Sequence, residues 1–495
     1  MRSGRDASQK PRLQPSREPL VVALAAGGCG TLAWGLPGPF DWVLCFGAAL
    51  LGGLCAWVLA RGTREGRIAL HHPSVMMSLS LLAYWLVGGL AARASPEVLL
   101  SPAAVDWLGP SLLEGALFLA AFVAVAGLPR PLPETDGESP GPSRKAWLSI
   151  WLVIAILWGI RLYETINGQY FSHSSGSSLD ASDPRTGAVL QLGVGLQFAP
   201  PLLAALLWKN HRRWAALAVG LAEFAFIFGA GERLPILWFF AALGYFSSAL
   251  GNPPRISAIV KVVSLVFLVA SPLILDIRDF VSASGDERMG PLDIYTRALP
   301  AALESLETLT SSKESSASAY ARRSTASGYL AAVMSRTEGS WGSFFGGETY
   351  LQSATALVPH FLWSEKPDFS DPLDAINWRF DLDRVDNVFC PLSEGYCNFG
   401  TLGVLLVGLL YGLFGALLRR FAEASTASPT NLLALSPSLS ILIVFETHST
   451  VTSLSVIRLS IVLFLVFALA RGIKGRRLMI GMPVIGVPSA ARRNL

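Results

Sequence analysis

A few ionisable residues stand within or beside long apolar runs, where charge is expensive and marks a site by default. They are Arg161, Glu223, Glu232, Arg233, Asp276, Arg278, Glu446, His448 and Arg458. Arginines that share one cavity suit a phosphate or pyrophosphate, because the guanidinium fork matches phosphate oxygens bidentately. The competing reading is that they snorkel to headgroups or pair with acids. Glu223 is equally a candidate for such an intramembrane partner of one arginine. Two short stretches alternate aromatic and polar residues: Pro359-His-Phe-Leu-Trp-Ser-Glu-Lys-Pro367 and Ser393-Glu-Gly-Tyr-Cys-Asn-Phe-Gly-Thr-Leu-Gly403. That mixture suits sugar rings, and it equally suits an interfacial belt of Trp and Tyr. Glu348, His360, Glu394 and His448 are the candidates for proton transfer. A loop histidine such as His360 titrates near neutral pH, although exposure without catalysis is the commoner fate. The cysteines, Cys29, Cys45, Cys55, Cys390 and Cys397, form no CxxC or Cys/His cluster, so no metal site is expected. Cys390 and Cys397 are candidates for a disulfide only if their geometry allows it.

The elements that carry these residues follow from composition. The 495 residues are 52% hydrophobic and only 15% charged, with a mean hydropathy of +0.47. Scarce charge together with long apolar runs excludes a single soluble enzyme, a disordered chain and a disulfide-rich secreted domain. No basic run is interleaved with aromatics, so nucleic acid is not an expected partner. A helix needs about 20 mostly apolar residues to cross the hydrocarbon core. That window yields about twelve spans: Leu20–Leu36, Phe40–Ala60, Ser74–Ala91, Ser111–Leu128, Ala146–Ile160, Ala188–Trp208, Trp214–Ala230, Leu234–Leu250, Ser257–Leu275, Phe399–Leu418, Leu432–Thr447 and Leu454–Ala470. The first run is long for a signal peptide and has no clear cleavage site, so it reads as a retained span. The expected class is an all-α polytopic membrane helix bundle, since open strand edges are not tolerated in lipid.

Orientation comes from Lys and Arg in the short loops. The basic set is the N-terminal tail, Arg61/Arg64/Arg67, Arg130/Arg144/Lys145, Lys209/Arg212/Arg213, Arg255/Lys261, Arg419/Arg420 and the tail from Arg471. These fall on every second loop, which predicts both termini in the cytoplasm. The chain then divides into a bundle of nine spans over 1–275, an external segment over 276–398, three spans over 399–471 and a basic tail over 472–495. Within the external segment, Leu292, Tyr295, Leu299, Leu303, Leu306 and Leu309 recur at helical spacing, and Tyr350 to Val358 repeat the pattern more weakly. Both read as amphipathic helices at the membrane surface or over the bundle mouth.

Three stretches resemble the oligosaccharide repeat-unit polymerases, the Wzy type of bacterial O-antigen and exopolysaccharide systems. Gly231-Glu-Arg233-Leu-Pro-Ile-Leu is similar to the family's Gly-x-Arg before an apolar span. Pro359 to Pro367 resembles its Pro-Arg-Phe-aromatic-x-x-Lys-Pro loop, with His360 where the pattern has arginine. Glu394 to Gly403 resembles its Glu-x-Tyr-x-Asn-Phe-Gly-x-x-Gly before a late span. The resemblance implies an enzyme of the bacterial inner membrane that acts on undecaprenyl-pyrophosphate-linked repeat units at the outer face. It implies transfer of the growing chain from its lipid carrier onto the next lipid-linked unit, with no cofactor. Arg233 and Arg278 are then expected on the donor pyrophosphate, Arg161 or Arg458 on the acceptor, and Lys366 among the substrate-binding residues. The base is expected to be Glu348, His360 or Glu394. A chain-length regulator and a flippase are possible partners beside the membrane lipid. Two rivals stand: an O-antigen ligase, which shares the lipid donor, and a transporter. A twelve-span major-facilitator protein places its long loop inside after span six, whereas this chain has it outside after span nine. A polyprenol-monophosphate sugar transferase fits less well, because the first external loop offers only Asp41.

Overall fold

The computed structural model describes residues 18–36, 41–129, 144–166, 196–229, 233–266, 293–308, 325–337, 343–357, 372–382 and 389–425, with a few single residues besides. In chain order its helices are α1 (Glu18–Trp34), α2 (Trp42–Arg61), α3 (Pro73–Ala94), α4 (Leu108–Ala126), α5 (Arg144–Ile166), α6 (Ala199–Lys209) and α7 (Arg213–Gly229). There follow α8 (Arg233–Ala249), α9 (Ile256–Leu265), α10 (Leu299–Thr308), α11 (Ala326–Thr337), α12 (Glu348–Leu357), α13 (Pro372–Arg379) and α14 (Pro391–Ser425). Among the described residues the only strands are a hairpin, β1 (Thr63–Arg64) paired antiparallel with β2 (Arg67–Ile68). The protein is therefore all-α, as its composition requires.

Among the described residues, four segments are long and apolar enough to cross a membrane: Trp42–Arg61, Pro73–Ala94, Pro102–Ala126 and Pro391–Arg420. They coincide with the second, third, fourth and tenth expected spans. Shorter apolar helices cover Val21–Trp34, Trp147–Tyr163, Pro235–Ala249 and Ile256–Leu265. The twelfth expected span, and all of the eleventh but Leu432, Leu433 and Leu439, lie outside the described residues.

The core is built on α4. It packs against α2 on one side and α14 on another, while α2 also carries α1. Glycines set the α4–α14 approach: a Cβ on Gly412 would lie 2.6 Å from the Phe122 carbonyl oxygen, and one on Gly408 would lie 2.9 Å from that of Phe118. In lipid, where apolar side chains gain little by meeting each other, small residues that let backbones close up drive such contacts. Many large apolar side chains point outward instead, among them Leu410, Leu221 and Leu152 at 63%, 66% and 47% exposure. That is the surface a lipid-facing bundle presents.

One end of the bundle gathers loops that the charge pattern assigns to one side. The Arg67 backbone bridges that of Arg255, the Ile68 N–H donates to Pro254 O at 3.0 Å, and the Ile256 N–H donates to Gly66 O at 2.9 Å. Arg419 donates to Ala126 O at 2.8 Å and stands 3.5 Å from His72 Nε2. His71 Nδ1 meets the Ser248 hydroxyl at 2.7 Å. Three loops of the basic set therefore converge, beside the end of the fourth apolar segment.

The segment over 276–398, expected to lie outside, differs from expectation in one respect. Helices do form over 299–308 and 348–357. A π-turn over Ile294–Ala298 precedes α10, and Tyr295 from it donates to Ala225 O of α7. But α11, in the middle of the same segment, is buried along most of its length, from Ala326 to Met334. It packs on α4, α3 and the turn Pro102–Trp107, and Ser327 donates to Trp85 O at 2.9 Å. This helix is part of the bundle, not a surface cover. A 20-residue window passes over it, because twelve residues cannot span and are a core or re-entrant length.

Candidate functional site

At the end away from Arg419, α14 turns a sharp corner. Phe399 (φ −142°, ψ 16°) and Gly400 (φ 62°, ψ −148°) leave the helical region, splitting the helix into arms over 391–398 and 401–425. The corner brings Gly403 against Gly395: a Cβ on Gly403 would collide with the Gly395 carbonyl oxygen. Gly400 supplies the positive φ that other residues resist. The spaced glycines of the Glu394–Gly403 stretch thus have a mechanical reason. Thr401 and Arg419 are 18 helical steps apart, or about 27 Å at 1.5 Å per residue, so the corner and the basic end lie a membrane's thickness apart.

The short arm is held by a buried polar cluster. Asn398 Nδ2 donates to Thr349 Oγ1 at 2.6 Å and to Glu394 O at 2.8 Å. Asn398 Oδ1 accepts from Gly347 N at 3.1 Å, and its backbone carbonyl accepts from Gly346 N at 3.0 Å. Thr349 Oγ1 also lies 3.4 Å from Glu394 Oε1, as a donor. Glu394, Asn398 and Thr349 are each fully buried. Across the bundle, Glu114 of α4 accepts from Thr401 Oγ1, the first residue past the corner. Tyr350 stacks on Phe399 with centroids 6.4 Å apart. Burial first, and the Glu394 charge second, push its hydroxyl well above the usual tyrosine range, so Tyr350 stays a proton donor.

Glu348 opens α12, one residue before Thr349, and is exposed. Gln352 Nε2 donates to its Oε1 at 3.3 Å. The structure thus brings two of the three candidate bases to one corner, one buried and one facing outward. His360 and Lys366, in the Pro359–Pro367 loop, lie outside the described residues, as do Arg278 and Arg458. Arg233 is the first residue of α8.

Arg161 is placed differently from expectation. Helix α5 does not end at Ile160 but runs to Ile166, so Arg161 lies inside it. Its Nη1 meets Glu223 Oε2 at 2.6 Å, with side-chain exposures of 10% and 0%, and its guanidinium lies 4.6 Å over the Phe226 ring. Glu223 is the acidic partner that the sequence allows. Cys390 and Cys397 are both buried free thiols. They sit seven helical residues apart, about 10 Å along the axis, too far for a disulfide. Burial pushes the Cys390 thiol up to about 11, so it is inert at neutral pH.

Four contributors lie outside the residues that the sequence singles out. Thr349 is a single polar residue with no motif around it, whereas Glu114 is an acid inside the fourth apolar run, where the charge itself is the signal. Arg336 and Arg379 sit in ordinary helix ends and come together only in space. They line an open cleft beside the corner with Ser343, Phe380 and Asp381. Among the described residues, no group of three His, Cys, Asp or Glu side chains is placed to hold a metal ion. Fold and site together define a helical protein with membrane-spanning segments and a buried carboxylate corner at one end of its bundle. No family model, curated protein or solved structure matches the chain.

Proposed function

We propose that the protein is a glycosyltransferase that polymerises lipid-linked oligosaccharide repeat units at the outer face of the bacterial inner membrane. The observation that carries this reading is the corner itself. The Glu394–Gly403 stretch, which resembles the polymerase pattern, forms a glycine-dependent bend that buries Glu394 and sets the exposed Glu348 beside it. In the proposed reaction the acceptor hydroxyl oxygen attacks the anomeric carbon of the donor chain. The bond from that carbon to the pyrophosphate oxygen breaks, and undecaprenyl pyrophosphate leaves with the electron pair. The acceptor proton passes to a carboxylate.

Glu348 is the residue we assign to that proton, because an exposed carboxylate can reach substrate and a fully buried one cannot. Glu394 positions the arm through Thr349. Arg233 and Arg278 carry the leaving pyrophosphate, whose developing charge a guanidinium stabilises. Twelve spans with both termini cytoplasmic complete the proposal, which places the corner outside.

The test is the glycan ladder of a deletion strain complemented with variants. Loss of the protein should collapse the ladder to single repeat units. Glu348→Gln should leave folded protein and lower polymer by about 100-fold or more, the usual scale for general-base loss. Arg233→Ala and Arg278→Ala should each abolish the ladder. Long but unligated polymer in the deletion strain would establish the ligase instead. An unchanged ladder with altered solute uptake would establish a transporter.

A further inference from the structure

Arg336, in the last turn of α11, and Arg379, which ends α13, face one open cleft of about 270 Å³ together with Ser343, Phe380 and Asp381. The volume lies just under the range of about 300–1,000 Å³ common for small-molecule sites, room for a single sugar residue. Arg379 is held in place: it donates to Phe344 O at 3.2 Å, and its guanidinium lies 4.4 Å over the Phe345 ring. Arg336 donates to Asp381 O at 3.4 Å and stands 3.9 Å from the Asp381 carboxylate. That side chain is 95% exposed, so the pair is weak and exchanges readily.

The charges decide what fits. Among the described residues, two guanidinium groups and one carboxylate give the cleft a single net positive charge. A pyrophosphate carries more negative charge than that and would be repelled by Asp381. A sugar acid carries one charge, and its ring hydroxyls have use for a carboxylate acceptor. We infer that the cleft between Arg336 and Arg379 binds an acidic sugar residue, with the sugar carboxylate on the two arginines and ring hydroxyls on Asp381 and Ser343. This names the substrate class of the proposed polymerase, an acidic repeat unit. The role as substrate rests on that reading, whereas the affinity of the cleft does not.

The experiment uses the full chain in nanodiscs and saturation-transfer NMR with methyl glucuronide, methyl glucoside and inorganic pyrophosphate. Methyl glucuronide should give a signal, and its binding should weaken about tenfold or more in Arg336→Gln, the cost of one charge-assisted contact. Arg379→Gln should weaken it similarly, with the unfolding midpoint of each variant reporting that the fold is kept. Methyl glucoside should bind at least that much more weakly, and Asp381→Asn should improve pyrophosphate binding while weakening methyl glucuronide. Equal signals from glucoside and glucuronide, no glucuronide signal, or unchanged binding in Arg336→Gln would each overturn the inference, as would displacement by pyrophosphate at lower concentration than glucuronide itself requires. A protein that binds glucuronide but whose deletion leaves the ladder intact keeps this site and loses the polymerase. A collapsed ladder without glucuronide binding does the reverse.

Discussion

Arg161 and Glu223 show how one residue type supports opposite roles. Both are buried, and they meet at 2.6 Å. Removing one partner from a buried pair leaves an uncompensated charge and typically costs about 3–5 kcal/mol, whereas replacing both with apolar residues is often near neutral. Glu223→Ala should therefore lower the thermal midpoint in detergent sharply, and the double variant Arg161→Met/Glu223→Leu should recover most of it. The same double variant tests the acceptor role expected for Arg161. A retained ladder would assign Arg161 to the structure alone and leave acceptor binding to Arg458. Thr349 gives the complementary case. Thr349→Val removes the oxygen that accepts from Asn398 Nδ2, and an unsatisfied buried donor costs about 1–3 kcal/mol. Differential scanning of the variant should show that loss. An unchanged midpoint would mean the cluster does not hold the short arm.

At the scale of elements, the α14 corner depends on glycine twice over. Gly400 needs its positive φ, and Gly403 needs to lack a side chain. Gly403→Ala should break the corner while leaving the long arm helical, because only the 395–403 contact forbids the methyl. Limited proteolysis of the 343–357 region should accelerate in that variant. Equal protection would show that the short arm is held without it. The opposite end carries a pH-sensitive element. Burial, with Arg419 and His71 adding to it, depresses His72 to about 3, and burial depresses His71 to about 4. The unfolded histidines bind protons near 6.5, so between about pH 6.5 and 4 the unfolded chain binds more protons than the folded one. Stability should be full above about pH 6.5 and fall as pH drops toward 3–4. His72→Asn can still cap α3, where His72 Nδ1 now accepts from Ser74 N, and cannot titrate. It should flatten part of that slope. A slope unchanged in the variant would remove His72 from the account.

For the whole molecule the question is sidedness. Basic loops that are far apart in the chain meet at one end, around Arg67, Arg255 and Arg419. The corner lies at the other end. Reporter fusions after Gly285 and after Arg420 should therefore report opposite compartments. The same compartment for both would undo the twelve-span order and the external placement of the site.

Much of this architecture is legible in the residues themselves. The apolar runs, the alternating Lys/Arg loops and the glycines of the Glu394–Gly403 stretch depend on local composition and short spacing. Lipid enforces such patterns directly, because a span must be apolar, helical and about 20 residues long whatever it packs against. Helix ends blur, as the extension of α5 through Arg161 shows, since an arginine paired inside a helix looks in sequence like one just beyond it. What the tertiary structure alone decided are the meetings between distant parts of the chain. Glu223 silences the Arg161 charge, α11 joins the bundle although it is too short to span, and Thr349 reaches Glu394. Arg336 and Arg379 come to share one cleft. Each depends on which elements pack side by side, and a buried polar group takes the partner that packing supplies, however far off in the chain.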